Sequence, residues 1–89
     1  MQKREINMNE STVIERVVST LNEILDKKDH VITPATRLKE DLGVDHLDRF
    51  ELVIRCEDIF HIEISDDIAD SFATVQDIAA YVVAEKNKA

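Results

Sequence analysis

The chain has 89 residues and a formal net charge of −8, with no tryptophan and a single glycine, proline and cysteine. That length supports one small domain with a modest core, and the lone Cys56 excludes an internal disulfide framework, so a reducing compartment is expected. No apolar run approaches the roughly 18 residues of a membrane span, the opening MQKREINMNE lacks the apolar segment of a secretory leader, and the acidity disfavours nucleic acid because phosphate backbones would be repelled. A cytoplasmic monomer is expected.

So few turn-forming residues favour helices over many short strands. Residues 1–10 read as a flexible lead-in. Thr12-Val13-Ile14-Glu15 fits a capping box for a first helix. Val13, Ile14, Val17, Val18, Leu21, Ile24 and Leu25 then form one stripe at helical period, ending near Asp26. The next segment, KKDHVITPATRLKEDLGV, has no helical period; Pro34 breaks any helix and Gly43 marks a turn. A loop of this length in a small domain tends to be functional, and Val31, Ile32, Leu38 and Leu42 are expected to pin it to the core.

Asp45 is a good N-cap for a second helix, with Asp48 three positions on, where a carboxylate suits the positive helix end. Leu47, Phe50, Val53, Ile54 and Ile59 are assigned to its inward face, and Asp48, Glu51, Arg55 and Asp58 to its outward face. After HIEIS comes a short helical turn around Ile68, Ala69 and Phe72. Thr74-Val75-Gln76-Asp77 is another box-like start, and Val75, Ile78, Ala79, Tyr81 and Val82 give the last helix a buried face. Residues 85–89 are expected to fray. The predicted fold is all-α, a single domain over residues 11–84: a small bundle of three longer helices and one short one, with a long first loop.

The charge is concentrated. Residues 39–71 hold eleven acids against three bases, Lys39, Arg49 and Arg55, which accounts for the whole net charge of −8. Such a surface either keeps the protein soluble or steers basic partners into place.

The stretch LKEDLGVDHLDRFELVIRCEDIFHIEISDD resembles the signature of the acyl carrier proteins, the phosphopantetheine-dependent carriers of fatty acid and polyketide synthesis. Asp41, Leu42, Gly43, Asp45, Leu47, Asp48, Glu51, Leu52, Glu57, Phe60, Ile64 and Asp66 all occupy signature positions, and the likeness runs from about Ser11 to Val83. It implies a small acyl-carrier-type bundle that is not itself an enzyme and that presents acyl intermediates to synthases, reductases and transferases. Asp45, Asp48, Glu51, Glu57 and Asp58 would form the face that meets basic surfaces of acyl-transfer, synthase or phosphopantetheinyl transferase enzymes. Phe50, Val53, Ile54, Cys56, Ile64, Ala69, Phe72 and Ile78 would line an acyl cleft, narrowed by the bulk of Phe50 and Phe72. Arg49 and Arg55 depart from the pattern by placing positive charge on the partner-facing helix.

The decisive departure is His46. In the family a serine stands after the aspartate and takes up 4'-phosphopantetheine through a phosphodiester; imidazole forms no such stable bond. The chain as written is therefore expected to carry no cofactor, whereas serine at position 46 would imply the arm. Three readings of His46 stay open: a substitution that locks a carrier in its apo form, a natural divergence, or an active group such as a base or metal ligand beside Asp41, Asp45 and Asp48. The spacing of those groups matches no metal motif, so no metal is expected. The alternative function is a serine-less interaction module that binds a partner protein through the acidic second helix. Cys56 reads as a small buried hydrophobe rather than a nucleophile, and His30 and His61 as surface residues.

Crowding eleven acids into one stretch costs folding free energy through self-repulsion. Raising ionic strength from a few millimolar to about 0.15 M, where the Debye length falls to about 8 Å, should raise the melting temperature measured by circular dichroism. A flat response would show that self-repulsion contributes nothing.

Overall fold

The computed structural model describes residues 9–26 and 31–88. The lead-in up to residue 8, His30 and Ala89 lie outside the described residues. Four helices follow in order: α1 (Glu10–Leu25), α2 (His46–Phe60), α3 (Asp66–Ser71) and α4 (Val75–Lys86). The architecture is the expected all-helical one, with α1 packed against α4 and α2. Its core gathers Val13, Val17 and Leu21 of α1, Leu52, Cys56 and Phe60 of α2, and Val75, Ile78, Ala79 and Val82 of α4.

The start of α1 differs from the expectation. Asn9 is the cap, in extended conformation, and its Oδ1 accepts the Thr12 N–H at 2.9 Å. Asparagine caps at least as well as threonine, so the helix begins earlier and Thr12 supplies the N–H instead of the capping hydroxyl. At the other end Asp26 takes a left-handed conformation (φ 54°) and its N–H closes onto the Asn22 carbonyl at 3.0 Å. This satisfies one of the carbonyls that a helix end leaves without a partner.

The loop between α1 and α2 is held by backbone as much as by side chains. Leu38 N–H donates to the Ala73 carbonyl (2.9 Å), while Val75 N–H and Gln76 N–H donate to the Thr36 and Pro34 carbonyls (3.1 and 2.8 Å). Leu38, Leu42 and Val44 enter the core and Ile32 packs partly against it. Val31, assigned to the same task, is instead 86% exposed. Gly43 turns the chain at φ 70°, a conformation that glycine adopts without the usual penalty.

The inward face of α2 is the main correction. Leu52, Cys56 and Phe60 are the buried residues, four apart and therefore stacked along one side. Leu47, Phe50 and Ile54, expected inside, are 78%, 63% and 46% exposed; only Val53 and Ile59 pack partly against the core. At 3.6 residues per turn the two sets lie on opposite sides of the helix. A helix apolar on two sides has no periodicity that says which side is buried.

The α4 start follows expectation: Thr74 caps the Asp77 N–H, and the Asp77 carboxylate accepts from Thr74 N–H at 3.0 Å and Ala73 N–H at 2.8 Å. Tyr81 is half-buried, its ring 5.9 Å from that of Phe72 and its hydroxyl donating to the Glu63 carbonyl at 3.0 Å. The helix continues to Lys86, one turn beyond the apolar stripe that marked it.

Two substitutions separate the faces of α2. Phe60→Ala should cost about 3–5 kcal/mol by urea denaturation, the range for emptying a packed aromatic site, and Phe50→Ala should cost less than about 1 kcal/mol. Equal costs would contradict the observed orientation of α2.

Candidate functional site: a groove between the second and third helices

The beginning of α2 is built by a reciprocal cap. Asp48 N–H donates to Asp45 Oδ1 at 2.9 Å and Asp45 N–H donates to Asp48 Oδ2 at 3.4 Å. These bonds draw the Asp45 carboxyl below the usual aspartate range, the Asp48 N–H being the largest cause. His46 is thereby the first helical residue, and it is exposed. Beside it opens a groove of about 400 Å³ whose apolar wall is Phe50, Val53, Ile54, Ile64 and Ala69, with His46, Arg49, Glu57, Asp66 and Asp70 completing the lining.

Five of the eight residues expected to line an acyl cleft therefore meet in one hollow. Cys56, Phe72 and Ile78 do not; they are buried in the core. Burial, with a smaller contribution from the neighbouring Glu57 charge, pushes the Cys56 thiol up to about 12, so thiolate chemistry is foreclosed there. Phe72, expected to narrow the cleft, is spent on packing.

The acidic face is less uniform than its sequence. Glu57 is half-buried, and its Oε2 accepts the Ile64 N–H at 2.8 Å, which ties the segment after α2 back onto that helix. Glu51 is paired with Arg55 at 2.8 Å, and Arg55 also reaches Glu23 on α1 at 2.9 Å. Asp45 and Asp48 hold one another's backbone, leaving Asp58 as an exposed acid outside these pairings. Arg49 does not project as a partner-facing charge: its Nη1 donates to the Ala69 and Phe72 carbonyls at 2.9 and 2.8 Å. Sequence reasoning missed this role. The available signal was a short helix with no base in its last turn, following a helix with a long cation in its first turn.

The open alternatives at His46 can be placed as well. Asp41 is engaged by Arg37, whose Nη2 lies 3.0 Å from Oδ1, and this bond lowers the Asp41 carboxyl below its ordinary range. Among the described residues no three His, Cys, Asp or Glu side chains converge as a metal site. Ser65 and Ser71, the hydroxyls flanking the groove in sequence, are committed to α3: Ser65 Oγ accepts the Ile68 N–H and Ser71 Oγ donates to the Ile68 carbonyl. No helix of the described residues is long and apolar enough to cross a membrane.

Comparison with known proteins places this geometry. The acyl-carrier family model (PP-binding_2) matches residues 4–89, and the chain belongs to that family. A mitochondrial acyl carrier protein of Toxoplasma is 33% identical, with a TM-score of 0.82 over 96% of this chain and 99% of that one. A protein of Mycobacterium tuberculosis described as an acyl carrier protein is 36% identical, with a TM-score of 0.75 over 81% of this chain and 96% of that one. The acyl carrier protein of Enterococcus faecalis is 28% identical, with a TM-score of 0.72 over 86% of this chain and 98% of that one. Phosphopantetheine attachment is the general property of the family.

The lowered Asp45 carboxyl has a definite pH signature. Its folded value lies below its unfolded one, so its contribution is fully present above the unfolded value of about 3.9 and is lost as pH falls through the folded value. Asp45→Asn keeps an acceptor at the cap but removes the titration. Between about pH 5 and pH 3 the melting temperature of the original chain should fall more steeply than that of Asp45→Asn. Parallel curves would show that the cap carries no pH dependence.

Proposed function

We propose that the chain is an acyl carrier protein, or a close carrier-like relative, whose role is to present acyl intermediates to enzymes of fatty acid or polyketide-type synthesis, and that with His46 it stands in a form that cannot take the phosphopantetheine arm. The observation that carries this reading is the position of His46: first residue of α2, exposed, and at the edge of the apolar groove. A phosphodiester needs a hydroxyl oxygen there, and the imidazole offers only ring nitrogens. Ser65 and Ser71 bond within α3, so no hydroxyl in the neighbourhood stands in for the missing one. The residues present do not fit a covalently attached arm.

The rest of the apparatus supports carrier use. The Asp45–Asp48 cap places position 46 at an exposed helix start, where a transferase can reach it. Asp48 and Asp58, with Glu51 offset by Arg55, give the second helix a negative surface suited to the basic faces of synthases and transferases. The inward commitment of Arg49 and the pairing of Arg55 with Glu23 and Glu51 reduce the positive charge that these departures from the family pattern would otherwise present.

The test is to incubate the chain and its His46→Ser variant with a broad-specificity phosphopantetheinyl transferase and coenzyme A, and to weigh both by mass spectrometry. His46→Ser should gain one phosphopantetheine arm and the original chain none. An unmodified His46→Ser that remains folded would favour the interaction module, a protein that meets its partner by contact alone. Modification of the original chain would overturn the account of His46.

A further inference from the structure

The groove has a second hollow beside it, of about 430 Å³, lined by Lys39, Val44 and Asp45 together with His46, Arg49 and Asp70. The last three also line the groove itself, so they form the wall between the two spaces. Within that wall Arg49 is the long side chain, and its position is set by the two carbonyls it serves, Ala69 at 2.9 Å and Phe72 at 2.8 Å.

α3 depends on that guanidinium. It has six residues and no base in its last turn, and a helix far shorter than about 12 residues does not persist on its own propensity. Its terminal carbonyls lack intrahelical donors, and the Phe72 N–H reaches the Ala69 carbonyl only at 3.3 Å. A cation at a helix C-terminus meets the negative end of the macrodipole, and here it comes from α2 across the groove. Arg49 forms no salt bridge among the described residues, although Asp70 lines the same wall.

We propose that Arg49 is a gate and a determinant of chain length: bound to the end of α3, it closes the wall beside His46 and confines an aliphatic chain to the Phe50–Ile64 groove. Released, it lets the groove run on past His46 toward Val44 and Lys39 and admits a longer chain. This deepens the carrier reading, since it assumes that the groove receives aliphatic chains. Its first link, the hold of Arg49 on α3, does not depend on that assumption.

The experiment compares the original chain with Arg49→Gln, Arg49→Lys and a control, Arg55→Gln, whose side chain serves Glu23 and Glu51 instead. Amide exchange followed by NMR should show protection of Ala69 and Phe72 falling about tenfold or more in Arg49→Gln, as expected for lost charge-assisted bonds, and unchanged in Arg55→Gln. Each protein is then titrated with 1-hexanol and 1-decanol, neutral probes that leave electrostatics aside. In the original chain the shifts should stay at Val53, Ile64 and Ala69, with little preference between the alcohols. In Arg49→Gln they should extend to Val44, with a severalfold preference for decanol. Should Arg49→Gln fail to fold, Arg49→Lys, which keeps the charge but loses the forked donor geometry, carries the same test. Unchanged α3 exchange in a folded variant overturns the hold on α3. Loosened α3 without spread to Val44 or preference for decanol overturns the gate. Neither result depends on whether His46→Ser accepts the phosphopantetheine arm, so failure of the gate and failure of the carrier reading are separable.

Discussion

The Asp45–Asp48 cap is the constraint on which the functional half of the molecule depends. By giving the Asp48 amide of α2 and the Asp45 amide just before it a carboxylate each, it determines where helical geometry begins, and the period then fixes which residues share a face. His46 becomes the first residue of the helix. Leu52, Cys56 and Phe60 turn to the core while Leu47, Phe50 and Ile54 turn away from it. Moving that start by one residue would change the group exposed at the beginning of the helix. The exposed place of His46 is thus a consequence of one local set of hydrogen bonds, while core packing on the opposite side leaves the apolar lining free.

A second dependence follows from the length of α3. Six residues bury only Ala69 within the helix, and the segments at either end must be fastened from elsewhere. The Glu57 carboxylate fastens the chain before α3 through Ile64 N–H, Ser65 caps its beginning, and Arg49 closes its end. Two of these three supports come from α2. The groove therefore has one wall that is a longer helix and another held against it by a few polar contacts, a division that would suit the proposed gate. Charged donors and acceptors are well placed for this work, since their bonds exceed neutral ones in strength and can still be exchanged for water.

Much of this was legible in the sequence because it rests on local chemistry. The Asp45 cap, the Thr74–Asp77 box and the end of the first helix near Asp26 are written in residues close in the chain, and the spaced signature from Asp41 to Asp66 marked the family. What could not be read depends on partners distant in the chain. Arg49 finds carbonyls 20 and 23 positions away, and Arg55 finds Glu23 32 positions back. The orientation of α2 was missed for another reason: Leu47, Phe50 and Ile54 are as hydrophobic as a core stripe should be. Only the packing of α1 and the rest of the core against the other side decides which stripe is buried. The groove-lining assignment of Cys56 failed with it, because the side of α2 that carries Cys56 is the one already filled, and Phe72 and Ile78 belong to the same core from outside α2.

The same engagement of side chains changes what the acidity means. As a sequence, residues 39–71 carry a block of charge whose simplest use is long-range attraction. In the fold, Asp41 neutralises Arg37, Glu51 neutralises Arg55, and Glu57 is consumed by a backbone amide. On the proposed carrier reading, partner recognition through α2 would be governed by a few remaining acids set beside exposed Leu47, Phe50 and Ile54. Charges at such a surface speed encounter and set orientation, whereas desolvated apolar side chains supply most of the affinity once contact is made. A docking face of this composition would receive a basic enzyme quickly without committing to a large apolar interface. Such a balance suits a carrier and would be a weakness in a permanent subunit, so on the proposed reading it favours transient partners.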